Sequence, residues 1–428
     1  MTVCVLGLWH LGTVTAACLA SAGHRTIGID FDAGVVERLS RGVPPLFEPG
    51  LEDLVRSGLG AGTLTFTTDP AAAERADILW IAIDTPVDED DRADVEEVVS
   101  AAAKVLPYAR SGALVLVSSQ LPVGTTARLE SMAVAAGCNV SFACVPENLR
   151  LGAAIETFTR QARIVAGTRR DEDRERTSAL LASFTDRFEW MSVESAEMTK
   201  HALNVFLATS IAFANEMASV CEHVGADAAD VARGVKSDPR VGQRAYLSPG
   251  GSFAGGTLGR DVTLLSSIGR EHGVAVDLVT AVRTSNDTHR QWAARRLGDV
   301  FGSPAGRTIA VWGLTYTPGT DTLRRSSSVE LCQWLAGQGA TVRAYDPAVR
   351  SLPDALNGVI TLAPDPLAAL AGASALVVAT PWPQFKAIAA ADVVRATGGC
   401  VVLDAAGFTA DALGQDPALK YIRVGQPL

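Results

Sequence analysis

Val5-Leu6-Gly7-Leu8-Trp9-His10-Leu11-Gly12, followed by a helix-forming stretch over 13–22 and by Asp30 at position 30, decides the fold. A short apolar run ends in a glycine turn, a helical pattern follows, and an acid closes the next apolar run. This is the spacing of a dinucleotide-binding turn. Gly7 permits the tight turn, Gly12 lets helix and strand approach, and the helix N-terminus faces a pyrophosphate. Asp30 is placed to accept hydrogen bonds from ribose hydroxyls and to repel a 2′-phosphate, so NAD is expected rather than NADP. Trp9 stands where the pattern has its middle glycine. Either the site is narrowed or shifted, with Gly7, Trp9, His10, Leu11, Gly12 and Asp30 as cofactor contacts, or a doubly wound fold has lost its ligand.

Outward from this turn, strand-like runs at 3–6, 25–29, 78–83, 114–118 and 141–145 alternate with helical patterns, as in a parallel sheet flanked by helices. From about 195 to 297 helical periodicity takes over, with segments at 197–224, 261–271 and 277–296 and a Gly/Pro-rich loop over 238–260. A second strand–helix alternation starts at 308–312 and continues at 341–345, 375–379 and 400–403. The expected fold class is α/β, with two Rossmann-like doubly wound domains, 1–192 and 303–428, joined by a helical domain over 193–302. The 428-residue length requires more than one core.

A net charge of −10 opposes nonspecific nucleic-acid binding. Seven scattered cysteines without a CxxC pair exclude a disulfide framework and a zinc ribbon, predict no metal site, and fit the cytoplasm. No uncharged apolar run reaches 18 residues and no signal peptide is visible, so no membrane partner is expected.

Further motifs arrive in order: Glu48-Pro49-Gly50-Leu51, Ile83-Asp84-Thr85-Pro86, Leu121-Pro122-Val123-Gly124-Thr125-Thr126 and Pro146-Glu147-Asn148-Leu149-Arg150. Glu197-Met198-Thr199-Lys200-His201 with Asn204, Asp238-Pro239-Arg240, the 249–261 loop, and Gly313-Leu314-Thr315-Tyr316-Thr317-Pro318 with Arg324 follow. Together they resemble the UDP-glucose/GDP-mannose dehydrogenase family across the whole chain. The resemblance implies an N-terminal NAD domain, a central helix that builds a homodimer, and a C-terminal nucleotide-sugar domain. It implies a biosynthetic oxidoreductase that takes a sugar C6 alcohol to a carboxylate with two NAD in succession.

It also implies roles. Lys200 and Asn204, one helical turn apart, would stabilise an alkoxide and tetrahedral intermediates, and Glu147 would act as general acid/base. Asp261 would help hold water and the lysine. Thr85, Pro86 and Arg324 join the cofactor contacts. Glu147, Asn148, Leu149, Arg150, Lys200, Asn204, Arg240, Phe253, Gly255 and Thr317 join the substrate contacts. Competing readings of single residues are a solvated helix lysine for Lys200 and first-turn helix acids for Glu147 and Asp261.

Two catalytic positions depart from the pattern. Thr257 stands where the family has its nucleophilic cysteine, and a hydroxyl needs a strong adjacent base to attack. Gln120 stands where a threonine usually positions the hydrolytic water. Both losses fall on the second oxidation. Arg260 and Thr317 replace lysines, Leu151 an acid and Ala406 an arginine, which leaves the sugar and base open. Cys144, three residues before Glu147, reads as a small buried hydrophobe rather than a substitute. The expected function is NAD-dependent oxidation of a nucleotide sugar without a covalent thioester. The alternatives are a non-catalytic sugar-nucleotide-binding homologue, or full oxidation through an aldehyde hydrate.

Overall fold

The computed structural model describes residues 1–88 and 92–427. The chain folds as two compact units, Met1–Leu203 and Asn204–Leu428.

The first unit is built on strands β1 (Thr2–Leu6), β2 (Arg25–Ile29), β3 (Leu64–Thr67), β4 (Ile78–Ile81), β5 (Leu114–Val117), β6 (Ser141–Cys144), β7 (Ile164–Thr168) and β8 (Phe188–Met191). Their order is β3-β2-β1-β4-β5-β6-β7-β8. The pairings are parallel except β6–β7, which is antiparallel. The strands expected from sequence appear with ends shifted by a residue or two, and the sequence reading missed β3, β7 and β8. Strands β4, β5 and β6 are buried throughout, which explains their unbroken apolar runs. Alternate residues of β1 enter two cores: Val3 and Val5 meet Val14 and Trp80 on one face, while Cys4 and Leu6 meet Leu79 and Val98 on the other. The order reverses between β1 and β4, the switch point where open α/β sheets bind ligands. The helix after β1 (His10–Ser21) is buried from His10 to Ala20, so it lacks a polar stripe and fixes the turn before it rigidly.

A helix of 32 residues, Val193–Val224, runs from the first unit into the second. By length and composition alone it could cross a membrane. Its buried polar residues, however, bond to protein groups: His201 to the Leu121 carbonyl, Asn215 to the Gly250 amide, and Glu222 to the Trp292 indole and Arg296. Helices Ala228–Ser237, Arg260–Glu271, Asp277–Arg290 and Trp292–Phe301 follow. The single helix expected over 277–296 is thus two. The break at Gln291 turns Trp292 and Arg296 onto buried Glu222, which also accepts from the Gly425 amide at 3.0 Å.

The second sheet comprises β9 (Thr308–Trp312), β10 (Thr341–Tyr345), β11 (Thr361–Leu362), β12 (Ala375–Val378), β13 (Val401–Leu403) and β14 (Lys420–Ile422). Its order, β11-β10-β9-β12-β13-β14, is parallel throughout and repeats the arrangement around β1. Gly313 follows β9 with φ +90°, the value Gly7 has after β1.

Candidate active site

The turn after β1 has the steric requirements of a dinucleotide cradle. A Cβ on Gly7 would lie 2.6 Å from the Ile83 side chain, and one on Gly12 would lie 1.7 Å from the Gly7 carbonyl oxygen. No side chain larger than hydrogen fits at either position. Asp30 closes β2 half-buried; its Oδ2 accepts from the Leu8 amide at 2.8 Å and its Oδ1 from the Asp32 amide at 2.9 Å. This holds the carboxylate at the place a ribose would reach. Trp9 is 48% exposed and projects away from the core, so it does not fill the turn. The residues present therefore fit NAD.

The His10 imidazole is held by the Glu-Pro-Gly-Leu loop, with Nε2 2.9 Å from Glu48 Oε2. Glu48, buried, also accepts from the amides of Gly152 and Ala154, both at 2.9 Å. One carboxylate thus ties the nucleotide turn to the segment after Glu147. The Leu11 amide donates to Asp84 Oδ2 at 2.9 Å. Thr85, beside it, donates its hydroxyl to the Gln120 carbonyl at 2.9 Å, and the Pro86 carbonyl accepts from Asp94.

Lys200, buried on the long helix, brings Nζ to 3.5 Å from Glu147 Oε1. The other Glu147 oxygen accepts from the Leu149 amide at 2.8 Å, so the carboxylate is held in its loop after β6. Lys200 is buried, against its reading as a solvated helix lysine, and Glu147 lies in a loop seven residues before the next helix, Ala154–Thr159, against its reading as a first-turn helix acid. Asn148 and Arg150 are exposed beside them, and Leu149 packs against the core. Small clefts on either side of the ion pair are lined by Gln120, Cys144 and His201 on one side and by Asn148, Arg163 and Leu203 on the other. The sequence reading missed two buried residues that hold this geometry. Glu197, one turn before His201, accepts from the amides of Gly124 at 2.7 Å and Thr126 at 2.9 Å, and His201 Nε2 lies 2.8 Å from the Leu121 carbonyl. The signal was available in the Pro-Val-Gly-Thr turn, which opens a helix at Thr125 with no capping side chain of its own.

In the second unit Asn204 donates Nδ2 to Asp261 Oδ2, and both are buried. Thr257 lies in a π-helical turn, Gly255–Gly259, and is exposed. Burial pushes the phenol of Tyr316, which lies beside Thr257, above its ordinary pKa, against the opposing effects of Thr257 and Arg260. Tyr316 was quoted in the sequence motif without a role. Phe253 is a core residue, packed with Val205, Ala208 and Val282 and bonded at both backbone groups to Asn286. Arg240 is exposed and folded onto Asp238 at 2.7 Å. Arg324 is exposed and Thr317 half-buried in the loop after β9.

All seven cysteines are free thiols. Burial pushes Cys4, Cys18 and Cys332 up to about 12. Cys144 is raised well above its ordinary value by burial and then by the Glu197 charge. It is a protonated core thiol, as the bland sequence reading expects.

Fold and site together define an NAD-dependent oxidoreductase with a second nucleotide-type sheet. Family models match in series: the NAD binding domain of the UDP-glucose/GDP-mannose dehydrogenase family over residues 1–185, its central domain over 194–288 and its UDP binding domain over 310–411. The chain is 36% identical over 404 residues to UDP-glucose 6-dehydrogenase of Pseudomonas aeruginosa, covering 90% of this chain and 89% of that one. A UDP-glucose dehydrogenase structure from Pyrobaculum islandicum superposes with TM-score 0.89 at 32% identity, over 99% of this chain and 98% of the other. A UDP-D-ManNAc dehydrogenase structure from Pyrococcus horikoshii does so with TM-score 0.84 at 26% identity, over 100% and 99%. The chain belongs to the UDP-glucose/GDP-mannose dehydrogenase family and is an NAD-dependent nucleotide-sugar dehydrogenase.

Proposed function

We propose that this dehydrogenase oxidises a nucleotide-sugar alcohol to the carbonyl level and releases it without forming a thioester. The observation that carries the reading is that an exposed threonine, Thr257 in the Gly255–Gly259 turn, stands where the family's cysteine is expected, with the buried phenol of Tyr316 beside it. A phenol held in its neutral form by burial cannot serve as the strong base a threonine nucleophile needs. An alkoxide attacking the aldehyde would in any case leave an ester, a poorer acyl donor than a thioester. Cys144 does not replace the missing thiolate, because its burial and the Glu197 charge keep it protonated.

The residues for a first oxidation are retained. Glu147, paired with Lys200, is placed to take the hydroxyl proton, and the Lys200 ammonium stabilises the oxyanion that develops. In the second unit Asn204 gives one Nδ2 proton to Asp261 and keeps a second to offer an oxyanion. NAD supplies the hydride acceptor, held by the turn around Gly7, Gly12 and Asp30.

The sugar and base remain broader than UDP-glucose, since relatives of this fold are named for different sugars. The protein works as a homodimer, supported by Phe206, Phe213, Met217, Val220 and Val224. These exposed apolar residues fall on one face of the long helix at 66%, 48%, 37%, 53% and 68% exposure. Seven free thiols support a reducing, cytoplasmic setting, and the net charge of −10 argues against a nucleic-acid partner.

The test is a count of NADH per sugar nucleotide consumed, over a panel of UDP- and GDP-sugars, with the product identified by mass spectrometry. One equivalent and a carbonyl product are expected. Two equivalents and a uronate overturn the proposal. Loss of turnover in Lys200→Ala is expected alongside.

A further inference from the structure

We infer that the Asp84 carboxylate holds the pyrophosphate's amide in the free protein, and that its displacement sets the affinity for NAD. Leu11 is the second residue of the His10–Ser21 helix. The Thr13 amide makes the first bond back into the helix, to the Trp9 carbonyl at 3.2 Å. The Leu11 amide is therefore one of the unpaired first-turn donors that a dinucleotide's phosphates use. Here it donates to Asp84 Oδ2 at 2.9 Å.

Asp84 reaches this place from the carboxyl end of β4, the strand beside β1 at the switch point. The contact is held by the fold, because Ile83 packs so closely on the turn that Gly7 tolerates no Cβ. A carboxylate on that amide copies the first contact of a phosphate, with the same sign of charge. Two anions cannot share one N–H at 2.9 Å, and their mutual repulsion is large in a half-buried site. Either Asp84 leaves when the cofactor seats, or it stays and repels the pyrophosphate. Both routes weaken binding, and both are removed with the charge.

Asparagine at position 84 keeps an oxygen to accept from Leu11 and loses the charge. Alanine removes both.

Calorimetric titration of the full chain with NAD, ADP-ribose and adenosine, in the absence of sugar, tests the inference independently of the oxidation level proposed above. NAD and ADP-ribose, which carry the pyrophosphate, are expected to bind about tenfold more tightly to Asp84→Asn and Asp84→Ala than to the unaltered protein. Adenosine, which lacks it, is expected to bind all three equally. Circular dichroism keeps the comparison to folded protein, and the asparagine variant stands if the alanine one fails to fold. NAD affinities within about twofold of the parent, weaker binding, or an equal gain for adenosine would overturn the inference. So would the absence of NAD binding in both variants.

Discussion

Replacing Glu197 separates the residues that do chemistry from those that hold them. Its carboxylate accepts from two backbone amides, Gly124 at 2.7 Å and Thr126 at 2.9 Å, and is itself buried. The helix these amides open, Thr125–Ala135, has Gly124 in the left-handed region at its N-cap and no capping side chain of its own. Glu197 is thus a cap supplied from another helix. Glu197→Ala leaves the buried Thr126 N–H and the half-buried Gly124 N–H without an acceptor, at about 1–3 kcal/mol each, so a loss of about 3–5 kcal/mol is expected. Glu197→Gln keeps one acceptor oxygen and turns an NH2 toward the second amide, for about 2 kcal/mol. With roughly 2–4 °C per kcal/mol for a unit of this size, the alanine variant should melt about 10 °C earlier in the transition of the first unit. Thermal and urea unfolding followed by circular dichroism measure this, with Met198→Ala, exposed at 36%, as a near-silent control. A second readout belongs to the charge alone. Glu197 adds to burial in keeping Cys144 protonated, so Glu197→Gln should lower that thiol's pKa and speed its alkylation. Stability of Glu197→Ala within about 1 kcal/mol of the parent would refute the capping argument.

The buried thiols predict an alkaline weakness. Cys4, Cys18 and Cys332 rise from 9.0 to about 12 on folding, so the unfolded chain loses these protons first and the stability they contribute is intact below pH 9 and lost between 9 and 12. The slope is about 1.4 kcal/mol per pH unit per thiol, and urea midpoints for Cys332→Ala should fall less steeply across that window. The proposed homodimer is tested by Phe206→Glu with Phe213→Glu: the parent should sediment at twice the chain mass and the double variant at once, with helical content unchanged, and a parent at the mass of one chain or a dimer that survives both changes would remove the apolar stripe as its basis.

Much of this was legible in order along the chain. The turn at Gly7, the acid at 30 and the second sheet's central strands each carry a local signal, a glycine, an acid at a strand end or a short apolar run, that needs no distant partner to be read. The strands that escaped, Leu64–Thr67, Ile164–Thr168 and Phe188–Met191 in the first sheet and Thr361–Leu362 and Lys420–Ile422 in the second, lie at or next to the sheet edges, where the apolar pattern is short or weak. The Lys200–Glu147 pair was foreseeable only through family resemblance, because 53 positions separate the partners and no periodicity links them. Glu197 and Glu48 were missed as organisers for a related reason. An acid inside a helical pattern or a loop reads as solvated surface until the amides it accepts from, here 71 and 104 or more residues away, are brought beside it.

The two sheets begin alike, yet their acids have opposite fates, and this bears on where a dinucleotide can sit. Asp30 is half-buried, accepts from the Leu8 and Asp32 amides, and keeps lone pairs for ribose hydroxyls. Asp346, at the corresponding end of β10, is buried, and one of its oxygens takes the Leu314 and Thr315 amides, the Thr315 hydroxyl and the Trp382 indole. Trp382, itself buried, spends its indole N–H on Thr315 and Asp346. The second turn therefore uses its acid to lock its own loop, and a nucleotide held by that sheet must be recognised by other groups than the acid at the strand end. A repeated architecture has supplied two platforms, and side-chain burial at one position leaves the dinucleotide only the first.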